Sequence, residues 1–303
     1  VSRVAAIDVG SNTVLCLVAE RAPDGSLRRV VDRATITGLG RGAFGRGTLD
    51  DTAIARTIAA VRAHAGEARA IGATHVRGVG TSALRDARDR ERFVALAREA
   101  LDSFDVISGD DEARLTFEGA AAGLPLEDAE RTVLDIGGGS TEIAIGRDTA
   151  RARTSLQLGS VRLFERHLAS DPPSGAEIAA LEDDVDRTLD AHAIADLPPL
   201  LALAGTATTV ACVARDLPFE EIERVHGVVL ERGDIVAVSR ELARRTSESR
   251  RRDPRIEPAR ADVLVAGAIL FARVAARSTS PRVTISDGGL RWALAAELLA
   301  SAG

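Results

Sequence analysis

Two stretches of the chain repeat one plan, and that plan restricts the fold more than any other feature. Residues 133–145 read Val-Leu-Asp-Ile-Gly-Gly-Gly-Ser-Thr-Glu-Ile-Ala-Ile, two β-rich apolar runs joined by glycines and a hydroxyl residue. Residues 5–18 read Ala-Ala-Ile-Asp-Val-Gly-Ser-Asn-Thr-Val-Leu-Cys-Leu-Val, with Asp8 in register with Asp135. A single turn of this kind is an ordinary hairpin tip, but its repetition half a chain apart points to a duplicated domain with a cleft between the halves. Gly10, Ser11, Asn12 and Thr13, and Gly137, Gly138, Gly139 and Ser140, are the candidate phosphate-binding residues. Glycines there allow positive φ, aim adjacent N–H groups at an anion and leave room for its oxygens. Asp8, Asp135 and Glu142 bring carboxylates to the same place. That is repulsive without a divalent cation between them, and hard oxygen ligands suit Mg²⁺.

Further motifs lie at residues 81–87, 107–115, 158–162, 204–209, 225–227 and 260–264. Together with the two hairpins, in this order, they resemble the exopolyphosphatase and guanosine pentaphosphate phosphohydrolase (Ppx/GppA) family of the sugar kinase and actin-like ATPase superfamily. The resemblance implies an α/β fold of two ribonuclease H-like (actin-like ATPase) domains related by duplication, with the active site in the cleft between them. The expected division is 1–125, with the first hairpin and the catalytic glutamate, and 126–303, with the Gly-rich hairpin; the terminal helix packs back on the first domain. It also implies a hydrolase that releases orthophosphate from the end of inorganic polyphosphate by metal-assisted water attack. Glu112 falls on the family's catalytic glutamate as general base, and Arg85, one turn into a helix, adds charge on the phosphate. Neighbouring carboxylates and partial burial raise the pKa of Glu112 while the helix dipole lowers it, which leaves a base usable near neutrality. The alternatives are a guanosine pentaphosphate 5′-phosphohydrolase, a non-catalytic sensor of guanosine tetra- or pentaphosphate, and a small-molecule kinase. A homodimer is a further family expectation.

Composition trims these readings. The chain has no lysine, which excludes a Walker-type phosphate loop and leaves arginine as the cation for phosphate. A net charge of −6 argues against a nucleic-acid coat. Cys16 and Cys212 sit in apolar runs and read as reduced core residues of a cytoplasmic protein. Asp8 breaks the first apolar run before a secretory signal could form. The uncharged run 197–214 reaches membrane-spanning length, but its prolines and glycine favour strand, turn and helix over a membrane span.

Among local elements, a helix follows Asp50 or Asp51, a strand covers 75–80, and Thr81 and Ser82 open the helix carrying Arg85. A strand at 104–107 precedes the helix of Glu112, where Asp110 and Asp111 suit the first turn. Helices are expected from Ser174 to 194, over 231–246 and over 257–276, with strands at 200–204 and 283–286. Gly159 and Ser160 could offer N–H groups and Arg162 charge. The Gly-rich segment 38–47 is either a connection or a cover over phosphates, and the 205–209 turn binds a base, a further phosphate or nothing. Arg250, Arg251 and Arg252 read as a solvated charge run and as the candidate for steering a polyphosphate tail. His226, without a nucleophile partner, reads as structural.

Overall fold

The computed structural model describes residues 2–124 and 128–301; the expected domain boundary at 125/126 lies outside the described residues. The first sheet contains β1 (Arg3–Val9), β2 (Thr13–Arg21), β3 (Leu27–Ile36), β4 (Ala73–Gly80) and β5 (Ser103–Val106), in the order β3-β2-β1-β4-β5. The second contains β6 (Arg131–Ile136), β7 (Thr141–Gly146), β8 (Ala150–Leu156), β9 (Leu200–Leu203), β10 (Val229–Glu231) and β11 (Arg282–Ile285), in the order β10-β11-β9-β6-β7-β8. Read from β8 to β11, the second sheet repeats the first, with an antiparallel hairpin pair on one side and parallel strands on the other. The short β10 is an antiparallel addition at the far edge. The duplicated α/β plan expected from the paired hairpins is present.

A strand buried on both faces is continuously apolar and sends alternate side chains into different cores. In β1, Ala5, Ile7 and Val9 join one core with Ile54, Ile58 and Val61 of the helix Asp51–Ala70. Val4 and Ala6 join another with Leu294 and Leu298 of the terminal helix Leu290–Ser301. The terminal helix thus packs on the first sheet. The helix Gly109–Ala120 covers the second sheet instead, placing Ala113, Phe117 and Ala120 against Val133, Ala144, Leu201 and Leu203. These two helices lie side by side and fasten the halves together.

The fastening depends on one missing methyl group. Gly289 N–H donates to the Gly119 carbonyl at 3.0 Å, and a Cβ on residue 119 would lie 2.0 Å from the Gly289 oxygen. Backbone atoms cannot swing aside as a side chain can. Gly119→Ala is therefore expected to destabilise the fold by about 3 kcal/mol, the upper end for overpacking, read as a lower denaturation midpoint. A loss under about 1 kcal/mol would mean that the two helices separate freely.

Two expected elements differ. The apolar helix over 257–276 is divided into a 3₁₀ turn, Pro258–Arg260, and a helix, Leu264–Ala275. Pro258 lacks an N–H and keeps Glu257 extended, so Arg260 stands on a turn of its own. The helix over 231–246 is shorter, Arg232–Ala243, and of the arginine run after it Arg251 and Arg252 are exposed as expected, whereas Arg250 is not. Arg250 is only 2% exposed and donates to the carbonyls of Ala261 at 2.9 Å and Leu242 at 3.1 Å, and to that of Arg245. Arg251 pairs with Asp262 and Arg252 with Glu248. Arg250 is thus committed to the fold and removed from the expected steering run, while Arg251 and Arg252 remain at the surface.

Candidate active site

The hairpins β1/β2 and β6/β7 pair Asp8 with Leu15 and Asp135 with Glu142 at equivalent steps. Each turn is closed by the same hydrogen bond, Gly10 N–H to Thr13 O at 3.0 Å and Gly137 N–H to Ser140 O at 3.1 Å. Positive φ, one of the reasons expected for their glycines, is not found: none of Gly10, Gly137, Gly138 and Gly139 has it. The constraint is contact. A Cβ on Gly138 would lie 3.1 Å from that of Ser11, and one on Gly139 would lie 2.4 Å from Phe44 Cζ and 2.6 Å from the Ser11 and Ser82 hydroxyls. The turns press on each other across the cleft, and glycine is what lets them.

A cavity of about 350 Å³ opens beside this contact. Both turns line it, as do Asp8, Glu112 and Asp135. Ser108 caps the helix Gly109–Ala120 by accepting from Asp111 N–H at 3.1 Å, which fixes Glu112 in the first turn. Arg85, on the short helix Ser82–Asp86, donates through Nη1 to Glu112 Oε2 at 2.5 Å and to the Ile107 carbonyl at 3.2 Å. Its buried Nη2 has no partner. A buried guanidinium with a spare donor suits an anion.

The carboxylates are crowded. Burial raises the pKa of Glu112 against the lowering effect of Arg85. Burial raises Asp135 to about 7, helped by the charge of Glu112. Asp8 lies well above its usual range through burial and the charges of Glu112 and Asp135, and its Oδ1 is buried without a partner. Glu142 is also raised well above the ordinary value by burial, then by the same two charges. However, it does not line the cavity; it is 2% exposed and accepts from the Ser155 hydroxyl at 2.7 Å.

Among the described residues, no three His, Cys, Asp or Glu side chains form a ready-made metal set. Of the expected trio Asp8, Asp135 and Glu142, the two aspartates line the cavity, while Glu142 shares the carboxylate cluster and is bonded to Ser155. The donor chemistry still fits a hydrated Mg²⁺, which keeps several waters and binds through one or two carboxylates plus phosphate oxygens. Asp8, with its orphaned oxygen, and Asp135 are the two that match.

The elevated Asp135 pKa has a thermodynamic sign. A carboxyl whose folded pKa exceeds its unfolded value of 3.8 contributes stability that is complete below that value and lost as pH rises through about 7. In EDTA, the melting temperature of the wild type should therefore fall relative to that of Asp135→Asn between pH 5 and pH 8. A difference that stays constant over that range would mean that Asp135 is ionised in the fold throughout.

Several residues expected at phosphates have other duties. Ser160 N–H and Val161 N–H donate to the carbonyls of Gly137 and Gly138 at 3.0 and 2.8 Å, while Arg162 Nε holds the Gly139 carbonyl at 2.7 Å. They brace the glycine turn from behind. Arg162 also pairs with Asp86 and stacks 4.0 Å above the Phe44 ring. The Gly-rich segment 38–47 bridges the halves: Arg41 pairs with Asp262 at 3.6 Å and donates to the Ala259 carbonyl, and Gly42 N–H donates to Glu165 at 2.6 Å. None of its residues lines the cavity. His226 is structural, accepting from Asp287 N–H at 3.0 Å. No local pattern announces the buried Arg291, which binds Asp32 at 2.8 Å and Asp287 at 3.1 Å; 259 positions separate Arg291 from Asp32.

Fold and cleft define a two-domain α/β protein with paired glycine-containing hairpins and a buried carboxylate–arginine centre. The model of the Ppx/GppA phosphatase family matches residues 17–302, and the chain belongs to that family. Exopolyphosphatase 2 of Mycobacterium tuberculosis is 34% identical over 94% of this chain and 95% of its own length. Guanosine-5′-triphosphate,3′-diphosphate pyrophosphatase of Pseudoalteromonas atlantica is 33% identical over 68% of this chain but 42% of its own. Among solved structures, an exopolyphosphatase-like protein matches with a TM-score of 0.92 at 29% identity, covering 99% of this chain and 100% of that one. The Aquifex aeolicus Ppx/GppA enzyme matches at 0.81 with 30% identity and 99% coverage of both chains.

Proposed function

We propose that the chain is an exopolyphosphatase that hydrolyses the terminal phosphoanhydride bond of inorganic polyphosphate. The observation that carries this reading is Glu112 facing the two hairpin turns in one cavity, with Arg85, which does not itself line the cavity, bonded to it. In the proposed reaction, backbone N–H groups of the turns hold the terminal phosphoryl group, while Arg85 holds Glu112 in position. Glu112 takes a proton from water, the water oxygen bonds to phosphorus, and the bridging oxygen leaves with the shortened chain. Mg²⁺, when bound by Asp8 and Asp135, neutralises phosphate charge. Phosphoryl transfer asks mainly for positioning and charge stabilisation, and the raised pKa of Glu112 favours proton acceptance near neutrality. No helix among the described residues is long and apolar enough to cross a membrane, and Cys16 and Cys212 are buried and free, which supports a reduced cytoplasmic setting.

Hydrolysis of guanosine pentaphosphate is the second reading, supported by the guanosine-specific name of one relative. It is less favoured because that relative is matched over 42% of its own length, whereas the exopolyphosphatase relative is matched over 95%. The deciding experiment measures orthophosphate released from medium-chain polyphosphate and, separately, from guanosine pentaphosphate, with Mg²⁺ or with EDTA. Metal-dependent release that is faster from polyphosphate is expected. Release from the nucleotide alone would replace this reading with the second, and binding without release from either would make the chain a sensor.

A further inference from the structure

We propose that Arg291, clamped between Asp32 and Asp287, is a positioning residue that gives Asp8 and Asp135 a fixed counter-charge and thereby loosens their hold on a divalent cation. The inference rests on the assignment of those two aspartates to Mg²⁺ above and on nothing about the substrate. Arg291 lies in the first turn of the terminal helix and lines the same cavity as both aspartates. It is 7% exposed. Its Nε donates to Asp32 Oδ1 at 3.0 Å. Its Nη2 donates to Asp32 Oδ2 at 2.8 Å, to the Asp287 carbonyl at 2.8 Å and to Asp287 Oδ1 at 3.1 Å.

Strand register places the clamp beside the aspartates. On the first sheet Ala6 pairs with Leu17 and Leu17 with Asp32, while Asp8 pairs with Leu15 and Leu15 with Ala34. Alternate residues of a strand share a face, so Asp8 and Asp32 stand on one face, two strands apart and two residues along, with about 12 Å between their α-carbons. It is also the face of Ala6 and Leu17, which join one core with Leu290 and Leu294 of the terminal helix. A guanidinium seated on Asp32 is therefore near enough to Asp8 for its charge to be felt without a bond between them. The charges agree: Arg291 acts on Asp8 more strongly than Arg85 does, and it acts on Asp135 as well.

The clamp decides what that charge can do. Arg85 shows the alternative, a guanidinium placed directly on a carboxylate, with Glu112 Oε2 at 2.5 Å. Arg291 cannot turn in that way, because Asp32 holds two of its nitrogens and Asp287, itself paired with Arg29 at 3.3 Å, holds one of them again. Burial disfavours its charge, but Asp32 and Asp287 outweigh burial and keep it charged. Asp8 and Asp135 are thus compensated while their oxygens stay free. A divalent ion entering there meets one positive charge at a fixed place, and repulsion weakens its binding. Mg²⁺ can then leave with its phosphate instead of remaining as a permanent ligand.

Mg²⁺ affinity is the readout, since a salt bridge with a purely structural role would change stability alone. Wild type and variants, stripped with EDTA and dialysed, are melted across a Mg²⁺ series without substrate, and the rise in melting temperature gives the dissociation constant. The series is run at pH 9, where Asp135, raised to about 7, is ionised. Arg291→Gln is expected to bind Mg²⁺ about tenfold more tightly, and Asp32→Asn, which frees Arg291 to turn onto Asp8, about tenfold more weakly. Arg291→Lys, which keeps the charge, should stay within about twofold of wild type. Equal or weaker Mg²⁺ binding by Arg291→Gln overturns the proposal; if polyphosphate binding weakens instead, Arg291 is a ligand of phosphate. Should Arg291→Gln fail to fold, Asp32→Asn decides, and an affinity equal to that of wild type overturns the proposal. A wild type whose melting temperature ignores Mg²⁺ would remove the metal reading of the two aspartates, and this proposal with it.

Discussion

Glu112→Gln is expected to lower orthophosphate release from polyphosphate by about 10²–10⁴. Glutamine has nearly the same shape and still offers a carbonyl oxygen to Arg85, whose Nη1 sits 2.5 Å from the present carboxylate. What it loses is the capacity to take a proton from water. The deficit should therefore appear in kcat with KM little changed. The acidic limb of the wild-type pH profile should vanish with it, since that limb reports ionisation of a carboxyl raised by burial. A variant within about tenfold of wild type would move the general base elsewhere, with Asp135, raised to about 7, the next group to replace.

The second large effect is expected from Gly139→Ala. One methyl group there would meet Phe44 at 2.4 Å and the Ser11 and Ser82 hydroxyls at 2.6 Å, so the turns must part to admit it. A displacement near 1 Å at a phosphoryl site costs on the order of 10²-fold in rate. Activity should fall by at least that much, and the midpoint of thermal unfolding should fall with it, because Phe44 packs against the first hydrophobic core. Near-normal turnover would mean that catalysis does not require the turns to meet. A large loss of stability with activity retained per folded molecule would make the contact purely structural.

The hairpins, their in-register aspartates, the α/β duplication and the cleft were legible because each is written locally, as an apolar run, a break and a second run. Glu112 and Arg85 were legible through short motifs at helix starts, where spacing and capping chemistry are also local. What sequence could not supply depended on distant partners. The glycines of the second turn read as conformational freedom, and their real constraint, the approach of Ser11, Ser82 and Phe44, comes from residues far away in the chain. The bond from Ser155 to Glu142 was likewise unannounced by any nearby residue. Arg250 read as exposed because charge runs usually are, whereas its acceptors are three backbone carbonyls that folding brings around it. Arg260 lay inside a matched motif, but its seat against the empty Cβ position of Gly205 is one that no spacing rule expresses.

The contact between the turns also makes closing self-limiting. Backbone and Cβ atoms have no rotamers to change, so the jaws reach one separation and stop there whatever lies beside them, like a calliper with a fixed lower reading. The space beside the attacked phosphorus is then a constant of the fold rather than a property of the ligand. Adjusting what this chain accepts is left to the walls beyond the stop, where Thr206, Arg29 and Arg260 line the cavity.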